Sequence, residues 1–322
     1  MILHIGLPRT GTTTLQKFLF SDDSLFAPPR GADQSISRFH LMAGIGRPLP
    51  DSLADIAGAK ARLVEIRKAA GKDKIVLISQ ERITSLGNTL STQRLYAERL
   101  GLVDPDARII ITFRRQQGLI KSRFTQFKIR KIWAALGMID PRQNPAEGKS
   151  KNETRKIMRV FFVPDFYEWS ELGIENQHSC WFSMMNYFDL YNIYAEVLGP
   201  ENVKVLFFED LVNNKDYFAR QLSEFIGINQ ERVVQAISKT TNTSPKDMGI
   251  WKRVKDNIKK PGEGINPGYA IRHLLGLNKI IDENNQKLLD LVRTGYGLQN
   301  RKLADLLGED LSQRGYLMDL NQ

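Results

Sequence analysis

Apolar residues along the chain fall in short runs set apart by turn-forming and polar stretches. Four runs are β-rich: Ile2–Leu7, Lys74–Ser79, Arg108–Phe113 and Val203–Phe208. Each is followed by a turn and a helix-compatible stretch: Thr12–Phe20, Ser91–Leu100, Gln116–Lys131 and Asn213–Ile226. Short apolar strands alternating with helices predict an α/β fold, a parallel sheet covered on both faces. In such a sheet, ligands sit outside the carboxyl ends of the strands.

The segments between these units are less regular. Ser21–Pro50 is rich in Gly, Pro and Ser and reads as a long surface loop. Asp140–Arg155 is polar and helix-poor, an insertion by its composition. Pro245–Gly268 is basic and ends in two Pro-Gly turns, and Tyr269–Leu317 reads helical, most clearly at Ile280–Val292 and Asn300–Leu307. With no internal repeat or low-complexity tract, residues 1–322 are expected to form a single α/β domain with a helical C-terminal part over 269–322.

Charge narrows the choice of partner. The chain of 322 residues carries a formal charge of +10. That balance favours anionic partners: phosphorylated cofactors, acidic glycans, anionic lipid headgroups or nucleic acid. The basic clusters Lys121–Lys131, Lys149–Arg159 and Lys246–Lys260 have the simplest reading as solvated helix faces. No zinc-ligand spacing, aromatic RNA-binding signature or basic zipper accompanies them, so no specific nucleic-acid partner is expected. Apolar runs such as Ile75–Ile78 are too short to span a bilayer, and Met1–Leu7 runs straight into a glycine loop without a basic leader. The expectation is a cytoplasmic protein, with peripheral contact to an anionic membrane surface compatible with its charge. Cys180, the single cysteine, cannot form an intrachain disulfide and reads as a small core residue beside Trp181.

The first strand opens the chemistry. His4–Gln16 reads H-I-G-L-P-R-T-G-T-T-T-L-Q. Gly6 and Gly11 fall in the register of the phosphate loop G-x-x-x-x-G-K-[ST], yet Thr12 occupies the lysine position. A strand, a glycine turn and a helix make an anion site, because turn amides converge on the ligand and the helix start adds its positive dipole end. Without the lysine that bridges terminal phosphates, an ordinary ATP or GTP hydrolase is disfavoured. Arg9 supplies a forked, permanently charged group just before the second glycine, suited to a departing phosphate oxygen or a sulfuryl oxygen.

Pro8-Arg9-Thr10-Gly11-Thr12-Thr13 resembles the 5′-phosphosulfate loop of the sulfotransferases, roughly P-[KR]-[ST]-G-[TS]-[TS]. That family uses 3′-phosphoadenosine 5′-phosphosulfate (PAPS) as donor and releases 3′-phosphoadenosine 5′-phosphate (PAP). Many members have lysine where this chain has Arg9, and others have arginine. The family also binds the 3′-phosphate with an arginine ending a strand and a serine eight residues on. R-I-I-I-T-F-R-R-Q-Q-G-L-I-K-S-R supplies Arg114 and Ser122 at that spacing, with Arg115 in place of the usual aspartate. Looser similarity runs through Tyr191–Gly199, Glu201–Leu211, Phe225–Ile228 and Asp310–Tyr316, the last resembling bacterial carbohydrate-type members. Residues 21–50 and 140–175 are then the substrate-side loops.

The resemblance implies cofactor binding by Pro8, Arg9, Thr10, Gly11, Thr12, Thr13, Arg114 and Ser122, with no metal required. Sulfuryl transfer needs an acceptor in line and a base for its proton. Glu81, at the end of I-V-L-I-S-Q-E, stands at the carboxyl edge of the sheet and is the first candidate. His40, in the long loop after the first helix, is the second, while His4 reads as a buried strand residue, His273 as surface, and His178 lies in the unassigned stretch N-Q-H-S-C-W. Glu209 and Asp210 read as structural, and Lys239–Lys246 as a late basic loop able to reach the adenosine 3′-phosphate. The implied acceptor is an anionic or neutral glycan, a glycolipid or a small alcohol. A P-loop kinase using Mg-ATP and a non-catalytic nucleotide-binding protein are the competing readings.

Overall fold

The computed structural model describes residues 1–27, 45, 55–84, 89–135, 166–179, 181–239 and 284–319. Five strands form one parallel sheet: β1 (Ile2–Gly6), β2 (Phe26–Ala27), β3 (Ile75–Ser79), β4 (Arg108–Phe113) and β5 (Val203–Phe207). Their order is β2-β3-β1-β4-β5. The chain therefore leaves β1 towards one edge, returns through β3, and crosses to β4 on the other side. That reversal puts the crevice of an open α/β sheet directly beyond the end of β1.

Strand residues divide by the two-residue period of a pleated sheet. Leu3, Ile5, Val76, Ile78, Ile109, Ile111, Val203 and Val205 face one core. Ile2, Leu77, Ile110 and Leu206 face the other. The first face is covered by α2 (Ile56–Ala70), α3 (Leu90–Val103), α4 (Gln116–Ala135), α6 (Tyr187–Leu198) and α10 (Gln286–Leu307). The second is covered by the segment after β1 together with α7 (Phe208–Asn213), α8 (Lys215–Ile226) and α9 (Gln230–Ser238). The strands are apolar almost throughout because both faces are buried.

Several elements differ from the sequence expectation. The first helix is brief: α1 (Thr12–Thr14) widens at once into a π-helical turn, Leu15–Leu19, closed by Phe20 N donating to Leu15 O at 2.8 Å. The two-residue strand β2 lies inside the segment read as loop, and α5 (Phe166–Glu175) lies inside the segment 140–175 read the same way. In α5, Phe166, Ser170 and Ile174 recur every four residues and turn one face inwards, which outweighs the turn-like composition upstream. The two C-terminal helical pieces are one helix, α10. Gly295 and Gly297, which break the pattern in sequence, are close-approach points. A Cβ would stand 2.5 Å from Ile174 Cγ2 at the first and 2.6 Å from Asp319 N at the second.

Among the described helices, none is long and apolar enough to cross a membrane. His40, Cys180, His273, residues 240–246 and most of the 21–50 and 140–175 segments lie outside the described residues.

Candidate active site

Beyond Gly6 the chain makes a tight loop with two left-handed residues, Arg9 (φ 77°) and Gly11 (φ 80°). Gly11 suits that backbone, and it has no room for a side chain: a Cβ would lie 2.4 Å from Leu211 Cδ2. Arg9 is the only described non-glycine residue with positive φ, a conformation that L-residues adopt at a cost and that clusters at functional sites. Thr10 is buried, and its hydroxyl is spent within the loop, donating to Leu7 O at 2.6 Å. Pro8 is buried as well. No backbone carbonyl among the described residues accepts from the amides of Arg9, Thr10, Gly11, Thr12 or Thr13. Five amides around a left-handed turn make a concavity for an anion.

The base of this loop is tied to its neighbours. His4, two residues before Gly6, is fully buried, with Nδ1 2.7 Å from Ser79 Oγ and Nε2 3.1 Å from Thr112 Oγ1. Gln16 Nε2 donates to the same Ser79 Oγ at 2.9 Å. Burial lowers the His4 pKa from 6.5 to about 3, so the imidazole is neutral. It fastens β1 to β3 and β4, the strands that carry the other site residues. His4 is thus the buried, satisfied histidine expected from its place in the first strand.

Three adjacent strand ends converge here. Glu81 stands two residues beyond β3, opening a 3₁₀ turn, Glu81–Thr84. The turn is fastened to β1 by Thr84 Oγ1, which donates to Gly6 O at 2.8 Å, and from above by Trp181 Nε1, which donates to Thr84 O at 3.1 Å. Glu81 Oε1 accepts from the Thr12 hydroxyl. Burial pushes the Glu81 pKa above the ordinary carboxylate value, and the charges of Arg123 and Arg9 oppose that rise. The Arg123 guanidinium rests 4.9 Å above the Trp181 ring.

From β4, Arg114 Nη1 donates to Arg9 O at 2.9 Å, and its guanidinium lies 4.6 Å from the Phe208 ring centre. Its own carbonyl accepts from Tyr187 OH at 2.5 Å. Two turns along α4, Ser122 Oγ accepts from Arg9 Nε at 2.9 Å. The spacing of eight between Arg114 and Ser122 therefore brings both onto the loop's arginine. Thr13 is exposed at the mouth.

Other sequence candidates stand apart from this cluster. Glu209 accepts from Arg115 N at 3.0 Å and from Tyr316 OH at 3.3 Å, which docks the C-terminal turn behind β4. Asp210 takes both oxygens to Arg314 Nε at 2.9 Å. Both acids are engaged in contacts that join the segment after β5 to its neighbours. His178 is exposed in the turn Gln177–Ser179. Lys239 ends α9, and the rest of the late basic loop is outside the described residues. Arg123, Trp181 and Thr84 were not anticipated. Arg123 is adjacent to Ser122 in sequence, but only the fold shows that Trp181 packs under it.

The model of one family, the sulfotransferase domain, matches residues 1–253. The chain belongs to the sulfotransferase family. It is a PAPS-dependent transferase, with PAPS as donor and PAP as product. This sets aside the kinase and non-catalytic readings. Three solved structures are similar to it at low identity. A sulfotransferase from Alicyclobacillus acidocaldarius shares 15% identity over 98% of each chain, with TM-score 0.47. The sulfotransferase domain of the curacin biosynthetic pathway shares 14% over 96% of this chain and 98% of that one, with TM-score 0.42. The sulfotransferase domain of the Synechococcus PCC 7002 olefin synthase shares 13% over 97% and 95%, with TM-score 0.43. No curated protein matches the chain. The residues present suit an anionic donor: loop amides without a backbone acceptor stand beside the guanidinium groups of Arg9 and Arg114.

Proposed function

We propose that the ends of β1, β3 and β4 form the transfer site, with Glu81 as general base and a glycan or glycolipid hydroxyl, or an amine, as acceptor. The observation that carries this reading is a half-buried carboxylate, its pKa raised by desolvation, that holds the hydroxyl of one phosphate-loop residue and faces the arginine of another. A base is most effective when its pKa approaches the working pH, and burial moves Glu81 that way. The amides of residues 9–13 hold the phosphosulfate end, Arg114 and Ser122 hold the 3′-phosphate, and no metal is needed to balance these charges.

Bound PAPS supplies the sulfuryl group and a phosphate leaving group. Glu81 takes the proton from the acceptor as its oxygen or nitrogen approaches in line. Arg9 faces the charge that develops on the departing phosphate oxygen, a gain confined to the transition state. The acceptor proposal follows from the net charge of +10, which suits an acidic or neutral polysaccharide surface more than a cationic one. We take residues 1–322 as one domain working in the cytoplasm, in solution or at an anionic membrane surface.

The test is Glu81→Gln in PAPS-dependent transfer to a panel of neutral and uronic-acid oligosaccharides and simple alcohols. Loss of a positioned base lowers kcat by roughly 10²- to 10⁴-fold. The wild-type rate should fall on the acid side through a pKa above the ordinary glutamate value, and the variant should lack that limb. Full activity in Glu81→Gln would transfer the role to another group, with His40 the next candidate.

A further inference from the structure

Thr12 belongs by sequence to the phosphate loop, yet its side chain is turned to the base. Its residue is 2% exposed, and its Cγ2 lies so near Gly6 that a Cβ there would stand 2.0 Å away. The β-branched side chain is thus confined at χ1, where two heavy atoms already restrict rotation. In that setting its hydroxyl donates to Glu81 Oε1.

A threonine hydroxyl has one proton to donate. Two anions compete for it, the Glu81 carboxylate and the phosphosulfate of the donor. The donor has other partners in reach: the loop amides, the exposed Thr13 and Arg9. Glu81 has fewer. Its backbone is held by Thr84, but among the described residues the only hydrogen bond to its carboxylate comes from Thr12. Arg9 from the loop and Arg123 from α4 face it as charges.

We propose that Thr12 is a positioning residue for Glu81, its hydroxyl fixing the carboxylate for proton removal while only its backbone amide serves the donor. This rests on Glu81 being the base. The three loop hydroxyls then have separate roles, with Thr10 closing the loop, Thr12 orienting the base and Thr13 meeting the donor.

Thr12→Val keeps the shape and removes the hydroxyl, Thr12→Ser keeps the hydroxyl, and Thr12→Ala is the fallback if valine impairs folding. Two readouts need no acceptor: calorimetric binding of PAP, and the pKa of Glu81 from side-chain carboxyl NMR, its signal assigned by loss in Glu81→Gln. A hydrogen bond to the charged form stabilises it, so Thr12→Val or Thr12→Ala should raise the Glu81 pKa by about half a unit or more. PAP affinity should change less than about threefold, since the amides remain. Thr12→Ser should restore the wild-type pKa. An unmoved Glu81 pKa, or a loss of PAP affinity of roughly tenfold or more, would overturn the proposal and return the hydroxyl to the donor. The transfer assay separates the two claims. If Glu81→Gln transfers at the wild-type rate, the base reading itself has failed. If Glu81→Gln is inactive while Thr12→Val leaves the pKa unmoved, only the assignment to Thr12 has failed.

Discussion

His4 makes the phosphate-loop strand sensitive to acid in a way that can be worked out in advance. Its pKa is about 3 in the folded protein, against 6.5 for an unperturbed histidine. A depressed folded pKa means that the unfolded chain binds the proton first. The associated stability is complete above pH 6.5 and is lost as the pH falls towards 3. At about pH 5 the unfolded state has gained about 2 kcal/mol from protonating this residue, from about 1.36 kcal/mol per unit over about 1.5 units. Any folded pKa below about 4 gives the same result there, so the figure depends on burial and not on its exact depth. Urea unfolding of the wild type and of His4→Gln at about pH 8 and about pH 5 isolates the effect, because carboxylates common to both proteins cancel. The wild type should lose about 2 kcal/mol more than the variant over that interval. Equal pH dependence in the two proteins would refute the argument. It would mean that His4 is charged in the fold or is reached by water between Ser79 and Thr112.

Two further predictions concern the loop. Arg9→Gly removes a left-handed L-residue, a gain of about 1–2 kcal/mol, against about 0.4–1 kcal/mol from a freer unfolded chain. Thermal unfolding should show stability unchanged or slightly increased, while PAPS turnover falls roughly 10²- to 10³-fold. Arg9→Lys should retain more turnover than Arg9→Gly, since it keeps a charge at the same place. Gly11→Ala adds a Cβ at φ 80° and 2.4 Å from Leu211 Cδ2. It should cost about 1–3 kcal/mol in unfolding free energy and weaken PAP binding measured by calorimetry.

The sheet was legible because four of its strands are apolar on both faces, and that pattern survives in a single sequence. β2 was not, since two residues paired at an edge leave no period to read. Helix α2 did carry a signal: Asp55 caps Gly58 N at 2.8 Å, and Ala59, Leu63 and Ile66 form one buried face before Gly71. In the site, Arg9, Arg114 and Ser122 were marked by the resemblance to the sulfotransferase loop and its arginine–serine pair, and Glu81 by its place at a strand end; the fold brings the four side by side. The distribution of hydroxyls was not readable. Thr10, Thr12 and Thr13 are alike in sequence, and only burial and neighbours distinguish a loop-closing hydroxyl from one held by Glu81. Arg123 was hidden for the same reason, because its partner Trp181 is 58 residues away in the chain.

The central claim is that Arg114 and Ser122 read the donor's 3′-phosphate beside the loop. Calorimetry with PAP and with adenosine 5′-phosphate, which lacks only that group, tests it without knowledge of the acceptor. A charge-assisted hydrogen bond is worth about 1.5–3 kcal/mol, so the wild type should prefer PAP by roughly 10- to 150-fold. Arg114→Ala should bind both with similar affinity, near the wild-type value for adenosine 5′-phosphate. Equal binding of the two ligands by the wild type, or an undiminished preference in Arg114→Ala, would contradict the account.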